Sequence, residues 1–234
     1  MSKSRVANDI ILNDRVNVVP SSDAPHGTWA FDSATADEFD TIARKNIPNY
    51  ETVIQKCVHV AESAFPDKKA VIIDVGSATG YTLDRFEEAG FEFVYGVENS
   101  EAMIRHCKNQ TRVILSDSFP SHLDFDMVLA NWTLHFIRER DEYLADIFAH
   151  MREGGILILT DKMQASPFVH DRYHDFKRAQ GLTEEQIQKK QAAIEGVLVP
   201  YSLEWYLDTL KGIGFREATI IDGSWGFVSL LCFK

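Results

Sequence analysis

An acid, two glycines and a second acid stand at a spacing that suits a nucleoside ligand. Asp74 lies near the end of the apolar run 70–75, Gly76 and Gly80 follow with Ser77 and Ala78 between them, and Glu98 comes about twenty residues later. Glycine permits backbone conformations and close ligand approach that a side chain would block. A buried strand-end acid is costly without a partner, so Asp74 is expected to support the loop or a ligand. An acid placed like Glu98 takes ribose hydroxyls in doubly wound sheets. The loop is not the G-x-G-x-x-G of dinucleotide enzymes, because Ala78 stands where the second glycine should be. A different adenosine ligand fits better.

The elements that must carry these residues follow from pattern. Run 70–75 is apolar and β-branched without alternation, as in a strand covered on both faces. An amphipathic helix over 81–89 ends at Gly90, and a second strand spans 93–98. A helix over 101–109 has Asn99 or Ser100 as its cap, and a strand over 112–116 leads into Asp117 and Ser118. A fourth strand, 125–130, delivers Asn131 and Trp132 to its carboxyl end, where open α/β sheets bind ligands. A helix over 141–151 and a fifth strand over 156–160 follow. An interruption of helical character spans about 166–196, with a capping-box pattern from Thr183 to Gln186. A helix over 203–211 precedes strands 218–222 and 227–233, whose close spacing predicts an antiparallel hairpin.

Upstream, residues 1–30, mixed in composition, read as an extended or partly disordered arm and 31–234 as one domain. Thr35 to Glu38 fits a capping box opening a short helix. A further helix from Tyr50 places Val53, Ile54, Cys57, Val58, Ala61 and Ala64 on one face.

Composition narrows the function classes. The 234 residues are 45% hydrophobic, enough for one α/β core, and no apolar run approaches the roughly 20 residues that span a bilayer. No secretory signal is legible, and the three widely spaced cysteines read as reduced thiols of a cytoplasmic protein. The net charge of -11 opposes nonspecific attraction to nucleic acid. The basic pairs Arg138 with Arg140, Lys177 with Arg178, and Lys189 with Lys190 read as solvated faces. His170 and His174 have the i, i+4 spacing of metal ligands. The stretch lacks the glutamate of the zinc-protease motif and a third ligand, so a structural role is expected and no metal. His135 reads as a pocket or core histidine.

The pattern Asp74-x-Gly76-x-x-x-Gly80, with Glu98 in register, resembles the cofactor motifs of class I S-adenosylmethionine (SAM) methyltransferases. That resemblance implies an α/β, Rossmann-like doubly wound sheet with a terminal antiparallel hairpin, here with N-terminal helices and a helical insert. Within the superfamily, Glu98-Asn99-Ser100, Asn131-Trp132-Thr133-Leu134-His135-Phe136 and above all His174-Asp175-Phe176-Lys177-Arg178-Ala179-Gln180-Gly181 resemble carboxy-S-adenosylmethionine synthase. That family makes carboxy-SAM from SAM and prephenate for modification of the tRNA wobble uridine. Carried over by position, the resemblance implies cofactor contacts from Tyr50, Gly76, Ser77, Ala78, Glu98, Asn99, Asp117, Ser118 and Asn131, and a homodimer. The family's inserted helix has an arginine that grips the product's carboxylate, and the matching position here is Gln191, a neutral amide. Methyl transfer from SAM to a small acceptor is therefore the main expectation, with S-adenosylhomocysteine as product. Carboxy-SAM synthesis is the alternative. A noncatalytic SAM-binding subunit and an NAD oxidoreductase are the rivals from other classes. No nucleic acid or membrane partner is expected, and no general base is legible.

Overall fold

The computed structural model describes residues 29–234. Two helices lead, α1 (Ser33–Asn46) and α2 (Tyr50–Ala64). An alternating series follows: β1 (Val71–Val75), α3 (Tyr81–Glu88), β2 (Phe93–Glu98), α4 (Glu101–Ile104), β3 (Val113–Leu115), β4 (Phe125–Asn131), α5 (Arg140–His150) and β5 (Met151–Lys162). The insert is a helix pair, α6 (Pro167–Ala179) and α7 (Glu184–Ile194). Helix α8 (Leu203–Ile213) and strands β6 (Glu217–Ser224) and β7 (Phe227–Phe233) complete the chain.

The seven strands form one sheet in the order β3-β2-β1-β4-β5-β7-β6. The first five are parallel, and β7 slots antiparallel between β5 and β6. Alternation along each strand divides the core. Ile73, Val75, Val128, Ala130, Leu157 and Leu159 pack on one face against Leu144 and Ile147 of α5 and Tyr206 and Leu210 of α8. Ile72, Met127, Leu129, Ile156 and Ile158 face the opposite way, against Val53, Cys57 and Ala61 of α2 and Leu83 and Phe86 of α3. Both faces are covered, which is why the strands read as continuous apolar runs.

The predicted hairpin and the insert are where the pattern places them, and Thr183 with Gln186 forms both halves of the capping box. Three boundaries differ. Helix α1 starts at Ser33 because Asp32, rather than Thr35, is the cap: its carboxylate accepts from the Thr35 amide at 2.9 Å. The Thr35 hydroxyl instead donates to the Ala30 carbonyl at 2.8 Å. Helix α4 is capped by Ser100 but runs only to Ile104, and β5 begins at Met151 rather than 156. The arm expected over 1–30 lies outside the described residues, except that Trp29 and Ala30 are buried, with the Trp29 amide on the Ala193 carbonyl of α7 at 3.0 Å. No helix among the described residues is long and apolar enough to cross a membrane.

Candidate functional site

The carboxyl ends of β1, β2, β3 and β4 open into a cavity of about 590 Å³, closed from the other side by α1 and by the insert. Pockets of a few hundred cubic ångströms suit small ligands. Of the residues expected to bind a cofactor, Tyr50, Asp74, Gly76, Ser77, Ala78, Glu98, Asn99, Asp117, Ser118 and Asn131 line it together. Gly80 and Gln191 do not. Gly80, at φ 80°, is the turn from which α3 starts, and its missing side chain makes room for Cys107 rather than for a ligand. Gln191 is exposed on α7 in the single chain, whereas Lys190 and Ile194 of the same helix face the cavity.

The loop after β1 is built by backbone. The Gly76 and Ser77 amides donate to the Val97 carbonyl at 2.8 and 3.1 Å, drawing the loop across the end of β2. Gly76 has φ 71°, and a Cβ there would collide with the Thr133 hydroxyl, which donates to the Val75 carbonyl at 2.8 Å. Ala78 also holds a left-handed conformation, at φ 48°. Its strain is borne by Glu98, whose carboxylate accepts the Ala78 amide at 2.8 Å and the Asn99 and Ser100 amides at 2.9 Å. A carboxylate offers about four acceptor sites, so three amides leave capacity for a ligand hydroxyl. Burial pushes the Glu98 carboxyl up, against these amides, which favour the charged form. Asp74 is almost fully buried. Its carboxyl is pushed up to about 7, first by burial and then by Glu98, with the Thr82 hydroxyl opposing both.

The end of β4 supplies the next wall. Trp132 is held at φ 57° and stacks on Tyr50, with ring centroids 4.7 Å apart. Asn131 donates to the Cys57 thiol at 3.6 Å. Its Oδ1, Ser77 Oγ and Trp132 Nε1 are buried and bonded to nothing among the described residues. Unpaired buried polar atoms on a cavity wall fit a polar ligand, since each otherwise loses its hydration for nothing. His135 also lines the cavity, against Asp161, whose carboxylate accepts the Tyr206 hydroxyl; Arg140 donates to Tyr206 at 2.9 Å.

The insert contributes what the residue pattern did not suggest. Lys177 is buried, and Lys162, Lys177 and Lys190 all line the cavity, so the pairs containing Lys177 and Lys190 are not solvated faces, and neither is the pair containing Arg140, which is buried against Tyr206. Lys189 is buried as well. A signal was present: Lys177 stands four residues after Tyr173, on the stripe of α6 that packs inward. The rings of His170 and His174 touch at a tilt of 57° with centroids 4.4 Å apart, and no group of three or more potential metal ligands occurs among the described residues.

Known proteins resemble this chain in sequence and in fold. Residues 73–159 match a family model described as a methyltransferase domain. A carboxy-S-adenosyl-L-methionine synthase of Helicobacter hepaticus is 33% identical over 227 residues, covering 88% of this chain and 95% of the relative. That of Nautilia profundicola is 27% identical over 225 residues, covering 88% and 94%. Among solved structures, the magnesium protoporphyrin IX methyltransferase of Synechocystis, with bound S-adenosylhomocysteine, superposes with a TM-score of 0.65 at 14% identity, covering 87% of this chain and 96% of the other. The last likeness concerns fold alone. The length and identity of the first establish descent: the chain belongs to the carboxy-S-adenosyl-L-methionine synthase family, enzymes with the class I SAM-dependent methyltransferase fold.

Proposed function

We propose that this enzyme binds SAM along the edge formed by Gly76, Glu98, Asp117 and Asn131 and transfers its methyl group to a small molecule held under the insert. The observation that carries this reading is the continuity of one cavity from the glycine loop, past the Tyr50 and Trp132 stack, to α6 and α7. Bound SAM supplies an already activated methyl group on a sulfonium. What remains for the protein is alignment of acceptor, methyl carbon and leaving sulfur, and exclusion of water. The orphaned Ser77 hydroxyl and Asn131 oxygen are available to a bound nucleoside or amino-acid group. Glu98 keeps the loop amides in place, and the aromatic faces of Tyr50 and Trp132 suit the sulfonium cation.

Carboxy-SAM synthesis from SAM and prephenate is the second reading, supported by family membership and by Lys190, a cavity cation one residue before Gln191. The homodimer implied by the resemblance and a cytoplasmic location, in keeping with three free cysteines, belong to the same proposal. Mass spectrometry of the ligand retained by purified protein, then of products after incubation with SAM and prephenate, tests it. SAM or S-adenosylhomocysteine with prephenate inert supports methyl transfer. A carboxylated SAM replaces it with the second reading, and a protein without SAM affinity sinks both.

A further inference from the structure

Lys162, Lys177 and Lys190 share the cavity, and none of them pairs with a carboxylate among the described residues. Lys162 Nζ and Lys177 Nζ lie 4.7 and 4.3 Å from the centroid of the Tyr173 ring, and Lys190 Nζ lies over Trp29. They come from β5, α6 and α7, so only the folded chain assembles them. Tyr173 is itself fixed, its hydroxyl donating to the Asn46 carbonyl at 2.7 Å. The surroundings add positive rather than negative potential. Burial first, and then Lys162 and Lys177, depress the protonation of His170; burial and then Lys177 depress that of His174, whose buried Nε2 has no partner among the described residues. His135 Nδ1 accepts the Lys162 backbone amide at 3.2 Å. The cavity's acids, Asp74, Glu98, Asp117, Glu142 and Asp146, come from β1, β2, the segment after β3, and α5. None of them perturbs a cavity lysine: Lys162 is shifted by burial alone, Lys177 by burial and Lys162, and Lys190 by burial and Lys177.

Lys177 is buried and Lys162 and Lys190 are half-buried, and a lysine so withdrawn from water loses solvation that rings of tyrosine and tryptophan return only in part. Three together, all facing one cavity, suit a negatively charged ligand. We propose that Lys162, Lys177 and Lys190 form an anion subsite that seats a carboxylate or phosphate of the acceptor beside the transfer site. This rests on the cofactor reading above for the identity of the acceptor, and on the lysines alone for the binding of an anion. The subsite gives the cavity two chemically distinct ends. It also makes anion binding proton-linked. Lys177 is held down to about 7 and Lys162 to about 8 in the empty cavity, and an anion beside them returns both toward the ordinary lysine range. Binding near pH 8 therefore takes up protons, more than binding near pH 6, where Lys162 and Lys177 are already charged.

The test is calorimetric titration of the full chain, with and without S-adenosylhomocysteine, using succinate, inorganic phosphate and uncharged succinamide in buffers of different ionisation enthalpy. The expected result is that succinate or phosphate binds, succinamide does not, and the heat near pH 8 varies with buffer in the direction of proton uptake. Preference for succinate points to a carboxylate-bearing acceptor, and preference for phosphate to a phosphorylated one. Lys177→Met and Lys162→Gln are each expected to weaken the anion about tenfold or more while S-adenosylhomocysteine affinity stays within about twofold. Two variants guard against a folding defect in one. Equal binding of succinamide, anion affinity unchanged in both variants, or no anion binding at all would overturn the subsite. Loss of S-adenosylhomocysteine binding with the anion site intact would instead indict the cofactor reading.

Discussion

The two ends of the cavity solve opposite electrostatic problems by opposite means. At the glycine loop the ionisable groups are acids, Asp74 and Glu98, and three backbone amides, from Ala78, Asn99 and Ser100, converge on Glu98. At the insert they are lysines, held by aromatic rings and by no carboxylate. At the loop end the charge of Glu98 is matched by main-chain dipoles. The insert end is unfinished until something negative enters. The first end therefore depends on backbone conformation and the second on side-chain charge, and substitutions separate the two.

The largest effect is expected from Gly76→Ala. The left-handed backbone and the collision with Thr133 together cost roughly 2–4 kcal/mol, and the loop that covers the cofactor edge is displaced. Thermal unfolding should fall by several degrees, with S-adenosylhomocysteine binding lost in titration; near-normal affinity would show that the loop does not shape the site. Next is Glu98→Gln, which leaves three amides with a single neutral acceptor oxygen. A loss of about 1–3 kcal/mol follows from the weakened bonds, read as a lower unfolding midpoint and weaker cofactor binding. A fully stable variant with unchanged affinity would contradict the role given to this carboxylate.

The contrast sharpens in the pH dependence of the empty protein. Asp74 has its folded value raised to about 7 from near 4, so its contribution is full below about pH 4 and lost as pH rises through about 7. Lys177 has its folded value lowered to about 7 from the usual value of about 10.5. The unfolded chain binds the extra proton between those limits, so stability falls as pH drops from about 10.5 to 7 and is level below. Asp74→Asn should flatten the limb between about pH 4 and 7, and Lys177→Met should reduce the slope above 7, to which Lys162 and Lys190 also contribute, each raising the neutral unfolding midpoint by a few degrees, since 1 kcal/mol is worth about 2–4 °C in a domain of this size. Unfolding scans across pH decide it: variants that leave both limbs unchanged would refute the assignment. The smallest structural effect belongs to Gln191→Arg. The residue is exposed, so stability should move by no more than about 0.5 kcal/mol. If carboxy-SAM appears with this variant and not with the parent chain, the missing arginine is what separates the chain from its family's reaction.

Much of the fold was legible because its signals are local. Apolar runs without alternation marked the strands buried on both faces, and two strands too close for a crossover could only form a hairpin. Gly76, Glu98 and Asn131 belong to different strand ends, yet a parallel sheet aligns all carboxyl ends on one edge, so their meeting could be anticipated. The boundary of α1 could not: Asp32 and Thr35 both suit a cap, and the choice turns on the Ala30 carbonyl that takes the Thr35 hydroxyl. Gly80 looked like a wall of the site because it shares the motif with Gly76, but the chain has already turned away into α3.

By itself the sequence determined the order of strands and helices, the turn that needs glycine, the acid that anchors it and the family to which the chain belongs. All of these rest on neighbours close in the chain or on the regular geometry of a parallel sheet. The tertiary structure decided which face of the insert turns inward. Lys177, Lys190 and Gln191 look alike as polar residues on amphipathic helices; only the docking of α6 and α7 buries the first, brings the second to the cavity and leaves the third exposed. A helix pattern specifies a buried stripe to within a residue or two, and a shift of one residue rotates a side chain by about 100°.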